Sequence, residues 1–207
     1  MNNKSVAVNG NTKGSMKTRT MVMMAILSAI SVLLMYIEAP IPGVFPDFLK
    51  LDLSDIPAIL GGMAFGPFVG LGIEFLKNLI HGVTASTTGG IGEVANIIVA
   101  GAYVFVLTFA YNKSKNIKGV LTGAVLATIA MAVVGGIVNY YILLPFYGQF
   151  MGLDAIIGLG SAINHNIKDL FSFVLWMIVP FNLIKGTILS VGSVFIFKKV
   201  GHLIKKN

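Results

Sequence analysis

Residues 170–197 read LFSFVLWMIVPFNLIKGTILSVGSVFIF, an apolar stretch interrupted by a single lysine. A helix of this length, rising about 1.5 Å per residue, can cross a bilayer. Lys185 lies near the middle and shares a helical face with Asn182, three residues earlier. A lysine in hydrocarbon costs at least about 2.5 kcal/mol, so such residues face a bundle interior or a ligand. The stretch therefore predicts a membrane helix with a binding site for an anionic or carbonyl-rich small molecule.

Lys185 could also have either of two roles that involve no ligand. Its ammonium group can extend to the lipid headgroups, or it can pair with a buried carboxylate. Long apolar runs on both sides of the lysine favour the binding site over either alternative. Pro180 frees a backbone carbonyl close to the same polar residues, which adds a further hydrogen-bond acceptor there.

The composition of the whole chain is that of a polytopic membrane protein. Hydrophobic residues make up 56% of the 207 residues, and charged residues only 11%. This length accommodates about five or six spans and leaves no room for a separate catalytic or nucleotide-binding domain. Because the chain has no cysteine, disulfides, thiolate metal sites and a cysteine nucleophile are excluded.

The net charge of +7 indicates membrane topology and not a nucleic acid partner. Eleven of the 15 basic residues fall in three clusters that flank apolar segments, and none of the eight acidic residues lies in them. The clusters are Lys4, Lys13, Lys17 and Arg19; Lys113, Lys115 and Lys118; and Lys198, Lys199, Lys205 and Lys206. Since basic residues accumulate on the cytoplasmic side, both termini are predicted to be cytoplasmic.

The alternation of apolar and polar segments predicts an all-α polytopic membrane protein with six transmembrane helices. Residues 1–19 are expected to form a disordered cytoplasmic tail, and residues 20–207 a single six-helix membrane domain. The predicted spans are 21–37, two short helices within 56–80 that break near Gly66-Pro67, 93–111, 120–144 and 170–197. Residues 147–169 are expected to be an outer loop. A signal peptide is the alternative for the first span, but no clear cleavage site follows it.

Polar residues near the membrane boundaries gather on the side opposite the basic clusters. They are Lys50, Asp52, Asn78, Glu93, Asn96, Asn139, Asn182 and Lys185. Residues 38–55, EAPIPGVFPDFLKLDLSD, combine three prolines with many apolar side chains, as a lid over a cavity would. A re-entrant or interfacial segment explains that composition equally well. The simplest arrangement is an outward-facing ligand cavity that this loop closes.

Several polar or small residues could have roles that involve no ligand. Glu74 and Lys77 are three residues apart and are predicted to neutralise each other, with direct ligand contact as the alternative. Glu93 stands at a helix start, where the helix dipole favours a carboxylate. Ala25 and Ala29 form a small-xxx-small pair that allows close approach of another helix, either in this chain or in a partner.

Five strings of the sequence, taken in their order and spacing, resemble the riboflavin-binding S component of energy-coupling factor (ECF) transporters. They are LKLDLSDIP (49–57), FGPFVG (65–70), GEVAN (92–96), NYYILLPFY (139–147) and PFNLIKG (180–186). The resemblance covers about residues 20–200. It implies a cell-membrane protein without enzymatic activity that captures a vitamin from outside. It further implies docking, through Ala25 and Ala29, onto a transmembrane coupling protein driven by two ATPases.

The resemblance also implies where the ligand binds. The site is expected in the outer half, built from the first loop and helices four to six. Asn182 and Lys185 are expected to hydrogen-bond the polar edge of the isoalloxazine ring or the ribityl hydroxyls. Other polar groups of the ligand are assigned to Asn139, Glu93 and Asn96. The planar ring is assigned to Tyr140, Val44, Phe45 and Leu49.

Three alternative functions compete with riboflavin uptake. An S component for thiamine, biotin, pantothenate or folate would share the architecture with a different pocket. A membrane enzyme is disfavoured because His81, His165 and His202 are scattered and no acidic pair has a motif context, so no metal site is predicted. A stand-alone channel or transporter is disfavoured because the chain has no convincing internal duplication and no energy source of its own.

Overall fold

The computed structural model describes the backbone of residues 17–204 and the side chains of residues 17–199. Seven helices and one two-stranded hairpin make up this part. The first helices are α1 (Thr18–Met35), α2 (Asp55–Phe65), α3 (Pro67–Thr84) and α4 (Ile91–Ser114). Strands β1 (Ala39–Pro40) and β2 (Lys50–Leu51) pair antiparallel between α1 and α2.

Two of the remaining helices contain a π-helical turn. Helix α5 consists of Ile117–Val138, the π-helical segment Asn139–Leu143 and Leu144–Met151. Helix α6 is Leu153–Ile163. Helix α7 consists of Leu170–Phe173, the π-helical segment Val174–Ile178 and Val179–Ile204. Such wide turns in a helix are frequent at functional sites.

Four helices of the described part are long and apolar enough to cross a membrane. They are Thr18–Met35, Ile91–Ser114, Ile117–Met151 and Leu170–Lys199. An all-α membrane protein is thereby confirmed, while a count of six spans stays a prediction. The predicted tail of residues 1–19 falls largely outside the described residues, and α1 already begins at Thr18.

The predicted break between two short helices near Gly66-Pro67 is confirmed. Gly66 ends α2 with a φ of 108°, a backbone conformation that glycine adopts without a steric penalty. Pro67 then occupies the first position of α3, where its missing N–H leaves no hydrogen bond unmade. The chain can therefore reverse its course between the two helices within a single residue.

The predicted outer loop at residues 147–169 is wrong for most of its length. Helix α5 continues to Met151, and α6 follows after Gly152, whose φ is 81°. Helix α6 is stabilised by burying Ile156 in an apolar cluster with Phe173 and Leu144. Polar residues at both ends of this segment led to the prediction of a loop. Between them lies a short helix whose apolar face packs against the first loop.

The helix ends meet at two opposite ends of the bundle. Lys17 before α1, Gly66 between α2 and α3, and Lys115 after α4 line one pocket. We call this the basic end. Met35 at the end of α1 and Glu93 near the start of α4 line a different cavity. That cavity therefore lies at the end of the bundle opposite the basic end.

Helix α4 forms the centre of the bundle. It packs against α2, α3 and α5, and its residues Tyr103, Val104 and Leu107 are fully buried. Helix α7 packs against α5 on the other side. The helices that carry the cavity share one continuous apolar core. This core holds the side chains of the cavity wall in place.

Candidate functional site

A cavity lies among the first loop, α3, α4, α5 and α7. Its empty volume is about 940 Å³, which includes the opening toward solvent. Small-molecule sites combine apolar walls with a few polar groups, as this cavity does. Six of the nine predicted ligand residues line it: Asn182, Lys185, Asn139, Glu93, Asn96 and Leu49.

The other three predicted ligand residues are not among the described residues that line the cavity. Val44 is 50% exposed on the outside of the loop. Phe45 is buried beneath the loop, edge-on to Phe181 at 5.4 Å between ring centroids. Tyr140 packs against the ring of Tyr141. Phe45 and Tyr140 therefore pack against other aromatic rings and do not line the cavity.

Phe48 and Tyr147 supply aromatic walls that were not predicted from the sequence. Both line the cavity, with ring centroids 6.0 Å apart and an interplanar angle of 60°. Phe48 also stacks on Phe173, which fixes its orientation. The spacing of four from Asn139 through Leu143 to Tyr147 was a usable signal, because residues four apart share a helical face.

Lys185 is buried and pairs with two carboxylates, one in the first loop and one at the start of α2. Its Nζ lies 2.9 Å from Oδ2 of Asp52 and 3.4 Å from Oδ2 of Asp55. Pairing with buried carboxylates, one of the three roles that the sequence allowed for this lysine, is therefore correct. The same side chain also lines the cavity, so the pairing does not remove it from a ligand's reach.

The ion pairs continue into the bundle through Asp55. Lys77 Nζ lies 2.5 Å from Oδ1 of Asp55 and 2.7 Å from Oε2 of Glu74, and all three side chains are fully buried. The predicted pairing of Glu74 with Lys77 is thus confirmed. Asp55, which was not among the predicted ligand residues, joins Lys77 to Lys185 and so links three segments of the chain.

Cations and hydrogen-bond donors surround the carboxylate of Asp52. Burial alone would raise its pKa, but the ammonium groups of Lys185 and Lys77 and the hydrogen bonds from Ser54 hold the pKa well below its usual value. Ser54 donates to Oδ1 of Asp52 from both its backbone and its hydroxyl. The first loop is therefore tied to α7 by a buried ion pair.

A chain of amides connects the cavity wall to the same buried charges. Asn96 Nδ2 donates to Oδ1 of Asn78 at 2.9 Å, and Asn78 Nδ2 donates to the carbonyl oxygen of Glu74. Asn78 is fully enclosed, whereas Asn96 lines the cavity. A polar group that binds Asn96 therefore contacts a network that extends to Lys77.

Glu93 is fixed by several donors at the rim of the cavity. Its Oε1 lies 2.9 Å from Nδ1 of His81, and its Oε2 accepts from the hydroxyls of Ser86 and Thr88. Glu93 therefore does more than interact with the dipole of α4, because it anchors residues 86–90 to α3 through His81. Within the described residues no three His, Cys, Asp or Glu side chains form a metal site.

Asn139 presents a free acceptor inside the bundle. Its Nδ2 donates to the carbonyl oxygen of Gly135 at 2.8 Å, while its Oδ1 is buried without a hydrogen-bond partner among the described residues. A buried acceptor without a donor is costly, and at a cavity wall it is suited to a ligand N–H or O–H. Asn182 donates to the carbonyl oxygen of Ile178 and also lines the cavity.

Gly135 permits the close approach of α5 and α7 at this site. A Cβ atom at this position would lie 2.7 Å from Nδ2 of Asn182. Neighbouring Gly136 has more room, because its Cβ would meet Val174 and Val179 at 3.6 Å. The position of Asn182 thus depends on glycine at 135.

Ala25 and Ala29 lie on the exposed face of α1. The buried face of this helix consists of Ser28, Ser31, Val32 and Met35. The two alanines therefore do not serve packing within the described part of this chain. They remain accessible to another helix in the membrane.

The chain matches the family model described as "ECF transporter, substrate-specific component" over residues 19–197. "Riboflavin transporter FmnP" of Bacillus subtilis (strain 168) is 33% identical over 193 residues, which cover 92% of this chain and 96% of that protein. "Riboflavin transporter RibU" of Staphylococcus aureus (strain TCH60) is 31% identical over 200 residues, covering 96% and 100%.

A solved structure is also similar to this one. It is the S component of a bacterial ECF transporter, with 28% sequence identity and a TM-score of 0.70 over 90% of this chain and 98% of that chain. The family model covers most of the sequence, and the fold agrees over 90% of the chain. The chain belongs to the family of substrate-specific components of ECF transporters, which are transport proteins and not enzymes.

Proposed function

We propose that the protein binds riboflavin with high affinity and is the subunit that selects this vitamin for an ECF importer. The observation that carries the proposal is a cavity with aromatic walls, a buried lysine and an unpaired asparagine oxygen. The names of the FmnP and RibU relatives support the same vitamin.

The chemistry of riboflavin suits these groups one by one. Its ring carbonyls accept hydrogen bonds, so the ammonium group of Lys185 serves as their donor. Its imide N–H is a donor that the free Oδ1 of Asn139 accepts. Phe48 and Tyr147 contact the planar ring, and Asn96 contacts the ribityl hydroxyls.

We further propose that six segments cross the cell membrane, with both termini in the cytoplasm and the cavity facing outward. The six segments are α1, α2, α3, α4, α5 and α7, whose directions alternate between the basic end and the cavity. Helix α2 has only 11 residues, about 16 Å, and completes its crossing together with the first loop. Basic residues at one end support this orientation. Residues 1–19 are the cytoplasmic tail and residues 20–207 the membrane domain.

The energy for uptake is proposed to come from other subunits. A transmembrane coupling protein with two ATPases binds the exposed face of α1 at Ala25 and Ala29. Ligand entering from outside is enclosed by the first loop, and ATP hydrolysis in the partner subunits then drives release inside.

Riboflavin titration of the purified protein tests the ligand directly. We expect quenching of flavin fluorescence with a dissociation constant below about 1 μM, equivalent to more than about 8 kcal/mol of binding free energy. We expect no competition from a tenfold excess of thiamine, biotin, pantothenate or folate, since none offers the same ring. Unchanged flavin fluorescence would contradict the proposal and point to another vitamin.

Replacing Gly135 by alanine should weaken riboflavin binding by about 5- to 150-fold. The added methyl group collides with Asn182, and overpacking of this kind costs about 1–3 kcal/mol. Isothermal titration calorimetry with riboflavin, carried out on Gly135→Ala and on Gly136→Ala, checks this expectation. Gly136→Ala adds the same methyl group where there is room, so it should bind like the parent protein. Equal affinities for both variants would show that Asn182 does not position the ligand.

A further inference from the structure

The pocket at the basic end has no part in the proposed riboflavin site. It lies between the start of α1, the junction of α2 and α3, and the end of α4, with an empty volume of about 900 Å³ that includes its opening. Three cationic side chains line it: Lys17, Arg19 and Lys115. No acidic residue does so within the described part of the chain.

The positive charge of this pocket is not neutralised by the protein. All eight acidic residues of the chain lie elsewhere, and in residues 17–199 none forms an ion pair with Lys17, Arg19 or Lys115. The three side chains are exposed. Arginine with two lysines matches a phosphate group, because arginine provides a planar fork of donors and lysine a compact charge.

The frame of the pocket is held by specific contacts. Lys115 ends α4 with a φ of 49°, and its N–H donates to the carbonyl oxygen of Tyr111 at 2.6 Å. Asn112 Nδ2 donates to the carbonyl oxygen of Gly62, which fixes the end of α4 to α2. Lys115 therefore projects from an anchored helix end.

Neighbouring positions of α3 and α4 carry an aromatic surface outside the pocket. Phe68, two residues after Gly66, is 79% exposed, and its ring meets that of Phe105 at 5.9 Å. Phe105 stacks on Phe109 at 5.7 Å, and Lys113 Nζ lies 4.6 Å from the Phe109 ring centroid. A row of rings that ends in a cation suits acyl chains below a headgroup, since aromatic side chains favour the membrane interface.

We propose that this pocket binds the phosphate headgroup of an anionic phospholipid, whose acyl chains lie along the Phe68–Phe105–Phe109 row. Basic pockets between membrane helices hold such headgroups, and each nearby Lys or Arg strengthens the attraction. A free anion would use the three cations but gain nothing from the aromatic row. The lipid fixes the end of α4 at the membrane surface and spans the α1, α3 and α4 segments.

Native mass spectrometry with added lipid tests the site. The purified protein is titrated with phosphatidylglycerol or phosphatidylcholine of the same chain length. We expect phosphatidylglycerol to bind at least about tenfold more tightly, because only its headgroup carries a net negative charge. The triple variant Lys17→Gln, Arg19→Gln, Lys115→Gln should lose this preference.

A second triple variant serves as the matched control. It carries Lys118→Gln, Lys198→Gln and Lys199→Gln. These changes remove three positive charges from the basic end but none from the pocket, so the variant should keep its preference for phosphatidylglycerol. Equal losses in both triple variants would mean diffuse attraction and would overturn the proposal. Displacement of the lipid by millimolar inorganic phosphate would assign the pocket to a free anion and would also overturn it.

Riboflavin titration of both triple variants separates this site from the ligand cavity. Because the two pockets lie at opposite ends of the bundle, riboflavin affinity should be unchanged in both. An unchanged affinity also shows that the variants are folded. A pocket variant that loses lipid preference and riboflavin together would indicate general damage and contradict a separate lipid site.

Discussion

Lys185→Met is expected to weaken riboflavin binding by at least about 30-fold. The variant removes the ammonium group that is proposed to donate to the ligand carbonyls, and a hydrogen bond from a charged group contributes about 2 kcal/mol. The loss leaves Asp52 and Asp55 without their shared cation. Fluorescence titration gives the affinity, and a thermal unfolding scan with and without riboflavin gives the stability.

A double variant separates the binding role of this lysine from its structural role. Lys185→Met with Asp52→Asn removes both charges of the pair, so most of the lost stability should return while riboflavin binding stays weak. Lys50→Met is the control, since Lys50 also lines the cavity but its ion pair with Glu38 is partly exposed. Breaking such a pair should change affinity by less than about fivefold. If Lys185→Met bound riboflavin as well as Lys50→Met does, the lysine would not contact the ligand.

Replacing Ala25 and Ala29 by leucine is expected to abolish riboflavin uptake and leave riboflavin binding intact. The two alanines are exposed on α1, and bulky side chains there keep a partner helix from close approach. Uptake of radiolabelled riboflavin by vesicles that contain the complete transporter should fall by at least about tenfold, the equivalent of about 1.4 kcal/mol of docking free energy. Titration of the purified variant should give the parent affinity.

A lipid-facing position on another helix controls for general effects of bulk. Val125 on α5 is 62% exposed, so Val125→Phe enlarges the membrane surface away from α1. This variant should retain both binding and uptake. Equal loss of binding and uptake in the alanine variant would mean that α1 supports the cavity and not the partner subunit. Full uptake would show that the partner docks elsewhere.

The parts of the site that the sequence predicts are those that depend on local spacing. Asn182 and Lys185, three residues apart in an apolar stretch, both line the cavity as expected. Glu74 and Lys77 pair as their spacing indicates. The break at Gly66 follows from the conformational preferences of glycine and proline. In each case the structural feature is determined by a few residues that are neighbours in the sequence.

What the sequence did not predict depends on distant partners. The pairing of Lys185 with Asp52 joins residues 133 positions apart, which no periodicity reveals. The first loop has no helical or strand period over most of its length, so nothing distinguished Phe48, which lines the cavity, from Val44, which does not. Tyr147 follows other aromatic residues that are typical of a membrane interface, and this context concealed its place in the cavity wall.

The two π-helical turns set the rotational register of the cavity walls. A π-helical turn holds one residue more than an α-helical turn. Each residue of an α-helix corresponds to a rotation of about 100° around the helix axis. In α5 the wide turn spans Asn139–Leu143 and precedes Tyr147, and in α7 it spans Val174–Ile178 and precedes Asn182 and Lys185. Deleting one residue from either turn would therefore rotate the side chains that follow it away from the cavity.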